Sequence, residues 1–570
     1  MYIEKVPNRN SPPAILLRRS RRVGKKTVKE TLMNLSDWPA DRLALFQRIL
    51  RNEKLVDPEA SFRVKLSTPH GHVAAILSTI RRLKLEQVLG AKRTRERDLA
   101  VAMIVSQLIH HCSKLGNTRL WHMTTLAQEL GVQDADENEL YGAMDWLQSR
   151  QERIERKLAV RHLKEDDFVF YDISSSYYEG HTCPLAQFGH NRDLKKGKKI
   201  IVYGVTADRE GRPVAIHVYP GNTNDSMTIP DRVQDIRRQY ALNKVILVGD
   251  CGMLTETQID HLKEYPGIGW ISALKSQAIR ELLDKGILLK THFDHQNLAE
   301  VTSPDFPGER LVACFNAALA VERNRKRRAL LDATEEDLAQ IKRAVDRRTE
   351  QILDKHEIGL RAGKVINRHK MGKHFSLHIE RGSFSWTRRQ ERIQREEDLD
   401  GIYIIRTDQP ADRLPAETVV RRYKDLSKVE RIFRTCKGVN IRIRPIRHRT
   451  EEHVKAHLFL CLLAYYVEWH MRKALGPILF HDDELDATRE TRDPVLKASP
   501  SELAKEKKFT KQTPDGRTLH SFDTLLIALG TQCRNLCVQA QMGEDAAFEL
   551  ITEPTDLQQR AFDLLRDAPM

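Results

Sequence analysis

The chain has 570 residues, too many for one ordinary domain, and 40% of them are hydrophobic, enough to build real cores and to exclude wholesale disorder. Lys and Arg number 94 against 79 Asp and Glu, a formal net charge of +15, so a polyanionic partner is expected and nucleic acid leads the candidates. Eight cysteines without a C-x-x-C pair, an N-terminus (MYIEKVPNRN) without a secretory core and a longest apolar run of only ten residues, 458–467, argue against a disulfide scaffold, export and a membrane partner; the expected compartment is the cytoplasm.

Residues 14–34 read as two short strands around Gly24 with a very basic turn. From about 60 to 160 the apolar residues recur at three- and four-residue steps, which predicts a helical N-terminal domain. Within it, TTLAQELGVQDADENELYGAMDWL has the outline of a helix-turn-helix with Gly131 at the turn, although plain helical packing explains the same pattern. From 165 the texture changes to short β-branched and aromatic runs, FVFYDISSSYYEG, KKIIVYGVTADREG, RPVAIHVYPGN and KVILVGDCG. A helix opening on an N-cap at Asp225 separates the third run from the fourth, so an α/β sheet is expected. Residues 276–399 mix strand-like LVACFNAAL, a long charged helix and HFSLHIERGSFSWTRR, the look of an inserted α+β module. Sheet texture returns at DGIYIIRTD, long helices follow to about 475, and the tail ends in a helical block, SFDTLLIALGTQCRNLCVQA. The expected organisation is 1–160, basic strands and helical DNA-binding domain; 161–275, first part of the catalytic domain; 276–399, insertion; 400–475, second part; and 476–570, C-terminal region.

Two acids close hydrophobic strands: Asp172 ends FVFYD and Asp250 ends VILVGD. Carboxylates held on rigid strand ends offer the converging oxygen ligands that hard divalent cations need, although many such aspartates merely cap a loop. A third feature lies in YKDLSKVERIFRTCK. Tyr423, Glu430 and Lys437 are seven residues apart twice over, nearly two helical turns each time, so one helix would carry an aromatic, a carboxylate and a cation in a stripe. Leu426, Val429 and Phe433 would pack that helix inward, while Arg431 and Arg434 add positive charge.

These residues resemble the DDE transposases of bacterial insertion sequences, in the branch whose glutamate is embedded in Y-x2-R-x3-E-x6-K. Tyr423, Glu430 and Lys437 keep the spacing; Leu426 stands where the branch has arginine. YDISSSYYEG, FGHNRDLKKGKKIIVYGV, VYPGNTNDSMT, VILVGDCGML and RPIRHRTEEHVKAHLFLCLLAYYVEW extend the likeness over roughly residues 1–540. The resemblance implies an α/β fold with a ribonuclease-H-like catalytic domain, interrupted by the insertion between Asp250 and Glu430. It implies Asp172, Asp250 and Glu430 as catalytic ligands of two Mg²⁺ ions, with Mn²⁺ as a substitute, and DNA contacts from Tyr423, Lys437 and Arg434. It further implies cleavage at terminal inverted repeats and strand transfer into target DNA by a homodimer of a bacterial, nucleoid-associated protein without a nucleotide cofactor. The alternatives are a silent DNA-binding descendant of such an enzyme and a nuclease that cuts without joining.

Other signals carry less. Cys533 and Cys537, four apart on the expected last helix, and His453 with His457, one turn apart, have metal-compatible spacing, but H-E-x-x-H is absent. KKGKK at 195–199 lacks the phosphate-loop pattern G-x4-G-K-[ST]. Trp270 and Trp386 could stack on an unpaired base but are better explained by packing, and RNRKRR at 323–328 reads as a solvated face.

Overall fold

The computed structural model describes residues 1–9, 11–53, 62–348, 350–539 and 547–569. They form two compact units, Met1–Thr68 with Gln532–Glu553, and Pro69–Thr531 with Pro554–Met570.

The first unit opens with β1 (Tyr2–Val6), β2 (Ala14–Val23) and β3 (Lys26–Asn34), an antiparallel sheet in that order. The helix Ala40–Leu50 covers it, with Leu17, Leu35 and Leu43 as the buried core. β4 (Phe62–Pro69) belongs to a second small sheet completed from the far end of the chain.

The second unit holds an eight-stranded mixed sheet. β5 (Asp167–Tyr177), β6 (Ile200–Ala207) and β7 (Pro213–Pro220) form an antiparallel meander. β8 (Val245–Val248) and β9 (Ile268–Ala273) then join the other side of β5 in parallel. Between β7 and β8 the chain is helical from Asp225, as the sequence suggests. Asp225 is not its N-cap, however: Asn224 is, and the Asp225 carboxylate is taken by Arg192 at 2.6 Å.

β10 (Leu298–Val301), β11 (Arg310–Phe315) and β14 (Ile402–Thr407) extend the same sheet, whose order is β10-β11-β14-β9-β8-β5-β6-β7. Two strands from the span 276–399 therefore add to the main sheet. The rest of that span has cores of its own. The 30-residue helix Ala317–Asp346, the helix Lys355–His369 and the hairpin of β12 (Phe375–Glu380) and β13 (Ser383–Arg388) bury Leu338, Ile358, Ala362 and Phe384 together. Arg327 is no part of a solvated face: it is buried, with Nη2 2.7 Å from both oxygens of Asp400.

The helices Gly71–Arg82, Arg95–Ile109, Glu137–Gln148 and Gln151–His162 share one continuous core with the sheet. Their keystone is the helix Glu451–Ala474, buried on nearly every side from Leu458 to Val467, which accounts for the apolar run there. Glu137–Gln148, the second helix of the helix-turn-helix outline, starts with a capping box from Asp136 and spends Leu140, Ala143, Met144 and Leu147 on this core. The charged side chains of its first turn are Glu137 and Glu139, the wrong sign for a phosphate backbone. Helical packing is thus its role in the fold.

The C-terminal block corrects another expectation. The helix Phe522–Gly530 stops at Gly530, and Cys533–Gln539 is a strand, β15, paired antiparallel with β16 (Ala547–Ile551) in the sheet order β16-β15-β4. Cys533 and Cys537 are therefore two pleats apart, about 13 Å along a strand, rather than on one helical turn. Pairing with distant strands outweighs the local helical periodicity.

Candidate active site

The parallel ladder between β5 and β8 ends at the pair Phe170↔Val248. Asp172 lies two residues past the first member (172 − 170 = 2) and Asp250 two past the second (250 − 248 = 2). The two acids therefore stand at matching offsets past the last paired residues, where the strands part. Asp172 does not end its strand. β5 continues to Tyr177 on β6, with Asp172 opposite Val205, so the opening is on the β8 side alone. Asp250 is fixed by a turn in which its Oδ1 accepts from the backbone N–H groups of Gly252 at 3.0 Å and Met253 at 2.9 Å. Asp172 Oδ1 accepts from Ile173 N–H at 2.7 Å.

Glu430 comes from the helix Leu426–Lys437, which lies against β5 and β6 through Leu426, Val429, Ile432, Phe433 and Cys436. Tyr423 is on the preceding helix, Ala416–Lys424. The expected single helix is broken at Asp425, whose buried carboxylate gathers Arg422, Lys428 and Arg489 at 3.0–3.4 Å. Tyr423 still feels the charge of the acids. Burial pushes its phenol well above the usual range, and the charges of Asp250, Asp172 and Glu430 push the same way.

The electrostatics tie these elements together. Burial pushes the Asp172 carboxyl up to about 7; Asp250 and Glu430 add to the rise, while the Ile173 N–H and Arg192 oppose it. Three acids thus share one field, the condition that a cation relieves. Carboxylate oxygens on rigid backbone are the right donors for Mg²⁺ or Mn²⁺. Among the described residues, no three acidic, His or Cys side chains stand together as a ready-made metal cluster. The residue types and the shared field fit a hard divalent cation, and the carboxylates must draw closer to ligate one.

Lys437 points along β5. Its Nζ donates to Ser175 O at 2.6 Å and to Asp193 Oδ1 at 3.1 Å. Asp193, whose side chain is 1% exposed, also takes Arg444 on the same oxygen, and its Oδ2 accepts from Tyr177 N–H at 3.1 Å. Next to it, Arg192 N–H donates to Ser175 Oγ at 3.2 Å. Sequence reading missed Asp193, Arg192 and Arg444. The only hint was HNRD, a charged pair just ahead of the KKGKK run. Arg434 is exposed and makes no ion pair with a described residue. Leu426 is buried in the core, so nothing cationic replaces the arginine at that position.

The discounted signals have structural occupations. His457 Nε2 lies 3.1 Å from Ile443 O, and His453 Nε2 lies 3.1 Å from Asp145. Trp270 is buried on β9, and Trp386 packs against Phe384 with ring centroids 5.6 Å apart. No helix among the described residues is long and apolar enough to cross a membrane.

A mixed sheet thus carries Asp172 and Asp250 just past the last paired residues of neighbouring strands, and the glutamate helix lies against β5 and β6. The transposase DDE domain family matches residues 183–467, half of the chain, and the protein belongs to that family. Among solved structures it is similar to a piggyBac transposase synaptic complex with hairpin DNA, at 8% identity and a TM-score of 0.34, covering 73% of this chain and 78% of that one. No curated protein matches it.

Proposed function

We propose that this protein is a DNA transposase of a bacterial insertion sequence that cleaves DNA at transposon ends and joins them to target DNA. In this reading the domain is ribonuclease-H-like, and the meander β5-β6-β7 followed by parallel β8 and β9 supports that. Asp172, Asp250 and Glu430 hold the divalent ions, Mg²⁺ with Mn²⁺ as substitute. The observation that carries the reading is the matched offset of Asp172 and Asp250 from the pair Phe170↔Val248, in a field shared with Glu430. Bound metal supplies Lewis-acid stabilisation of phosphoryl oxygens and lowers the pKa of an attacking water or 3′-hydroxyl.

The chain's own residues orient the DNA. Arg434, exposed and unpaired among the described residues, contacts a backbone phosphate, and Tyr423 donates from a phenol that burial keeps protonated. Lys437 presents its charge along β5 from its seat on Asp193. The partners are double-stranded inverted repeats and target DNA, handled by a homodimer in the bacterial cytoplasm, at the nucleoid.

The test is nicking of a labelled duplex carrying the DNA that flanks the gene, in Mg²⁺ and in chelator. Asp172→Asn, Asp250→Asn and Glu430→Gln should each fold, still bind the duplex and lose cleavage by orders of magnitude, because each ligand aligns the phosphate. Glu417→Gln, on the solvent side of the neighbouring helix, should cut normally. Cleavage that survives chelation would overturn the assignment. Buried Leu426 in place of the signature arginine favours one second reading, a silent DNA-binding descendant. Tight binding without cleavage in the wild type would select it.

A further inference from the structure

β1 covers β2 only from Ala14 to Arg18. Past that point β2 and β3 continue as a two-stranded arm, and every residue from Arg19 to Asn34 is exposed. The pairing runs from Arg19↔Glu30 through Arg21↔Val28 to Val23↔Lys26, and Gly24, at φ 62°, turns the tip. Arg19, Arg21, Arg22, Lys25, Lys26 and Lys29 stand on the arm against a single acid, Glu30, a net charge of +5 by subtraction (6 − 1 = 5). Lys29 is satisfied by Glu4 at 2.9 Å. The other five make no ion pair with a described residue.

A two-stranded ribbon with both faces in water is marginal by itself, and five uncompensated cations on one make it repel itself. Its shape and charge match one occupant. The major groove of duplex DNA, about 12 Å wide, admits a two-stranded ribbon, and its phosphate rims carry the opposite charge. Five residue pairs of strand span roughly 17 Å, about half a helical turn of duplex. Val23 and Val28, exposed near the tip, supply apolar contacts for the groove floor.

We infer that this arm is a DNA-binding element in its own right, entering a groove of double-stranded DNA and gripping its phosphates without any part in the cleavage chemistry. It rests on the reading that DNA is the protein's partner, but not on the carboxylates.

The experiment compares three full-length proteins: wild type, a neutralised arm (Arg19→Gln, Arg21→Gln, Arg22→Gln, Lys25→Gln, Lys26→Gln) and a charge-keeping arm (Arg19→Lys, Arg21→Lys, Arg22→Lys). Affinity for a random-sequence duplex is measured from 50 to 300 mM salt, with a single strand of the same length beside it. The neutralised arm should bind the duplex at least about tenfold more weakly, its log–log salt slope reduced by about 0.9 for each phosphate that the arm no longer neutralises. The charge-keeping arm should follow wild type. All three should melt alike, since the changed side chains are exposed. An unchanged slope in the neutralised protein overturns the inference, and so does an arm-dependent weakening confined to single strands. Loss of triad-dependent cleavage with the arm effect intact would sink the catalytic reading alone.

Discussion

Lys437 Nζ donates to the carbonyl oxygen of Ser175 at 2.6 Å, three residues past Asp172 on the same strand. Glu430 and Lys437 are seven helical positions apart, a rise of about 10.5 Å. Three strand residues cover about 10 Å. The helix and β5 therefore advance in step, so that Glu430 joins the field at Asp172 while Lys437 is anchored at Ser175. The spacing of the signature residues thus equals a spacing along the strand beneath them.

That anchorage depends on Asp193. Lys437 and Arg444 share one of its oxygens, and Arg444 keeps 31% of its side chain exposed. Asp193→Ala strands both cations, one of them largely buried, and should cost about 2–4 kcal/mol after discounting the exposed partner. The readout is a melting temperature lower by several degrees. Asp193→Ala combined with Lys437→Ala should cost less than the sum of the two, since the second change removes the stranded charge; strictly additive losses would show that the pair is not coupled.

Metal should stabilise the fold through the same acids. Mg²⁺ or Mn²⁺ added to chelated wild type relieves the repulsion among Asp172, Asp250 and Glu430, worth about 2.7 kcal/mol at a hundredfold excess over Kd. Asp172→Asn should start out more stable in chelator and gain little from metal. An equal metal-induced rise in the melting temperature of both proteins would place the ion elsewhere.

Gly221 and Gly189 let two loops touch. A Cβ on Gly221 would collide with the backbone carbonyl oxygens of Ile200 and Gln187, and one on Gly189 with that of Gly221. The second loop runs on into Arg192 and Asp193. Gly221→Ala should destabilise by about 1–3 kcal/mol and lower cleavage, whereas Gly286→Ala, with open space around its Cβ but φ +70°, should lose stability without losing cleavage per folded molecule. Specific activity measured on the folded fraction separates these outcomes.

Glu155 gives a pH signature away from the site. Its Oε1 accepts from Gln151 Nε2 at 2.7 Å and Ile216 N–H at 3.0 Å, and burial pushes its carboxyl up to about 8. Because the folded value is raised, its contribution is full below the unfolded value of 4.5 and is lost as pH rises toward 8. Glu155→Gln keeps the acceptor and removes the ionisation. Its stability should match wild type near pH 4.5 and exceed it increasingly up to pH 8, by on the order of a few kcal/mol, read as a rising difference in melting temperature. A difference independent of pH would mean that Glu155 takes up no proton on folding.

Local patterns in the sequence determined much of this protein. The β-branched runs that became β5 to β8 and the helix Leu426–Lys437 were legible because each is a short-range pattern that needs no partner to be recognised. The apolar run at 458–467 signalled a buried helix for the same reason. Tertiary structure alone decided the rest. Cys533–Gln539 became a strand because β4 and β16 offered it hydrogen bonds, and β10 and β11 joined the main sheet because β14, some ninety residues on, lay open at its edge. Asp193 was invisible for a related reason: an acid among lysines and arginines looks solvated until the fold removes the water and leaves Lys437 and Arg444 as its partners. The matching offsets of Asp172 and Asp250 past Phe170 and Val248 are a matter of register between strands about seventy residues apart, and register is set by the whole sheet rather than by either strand.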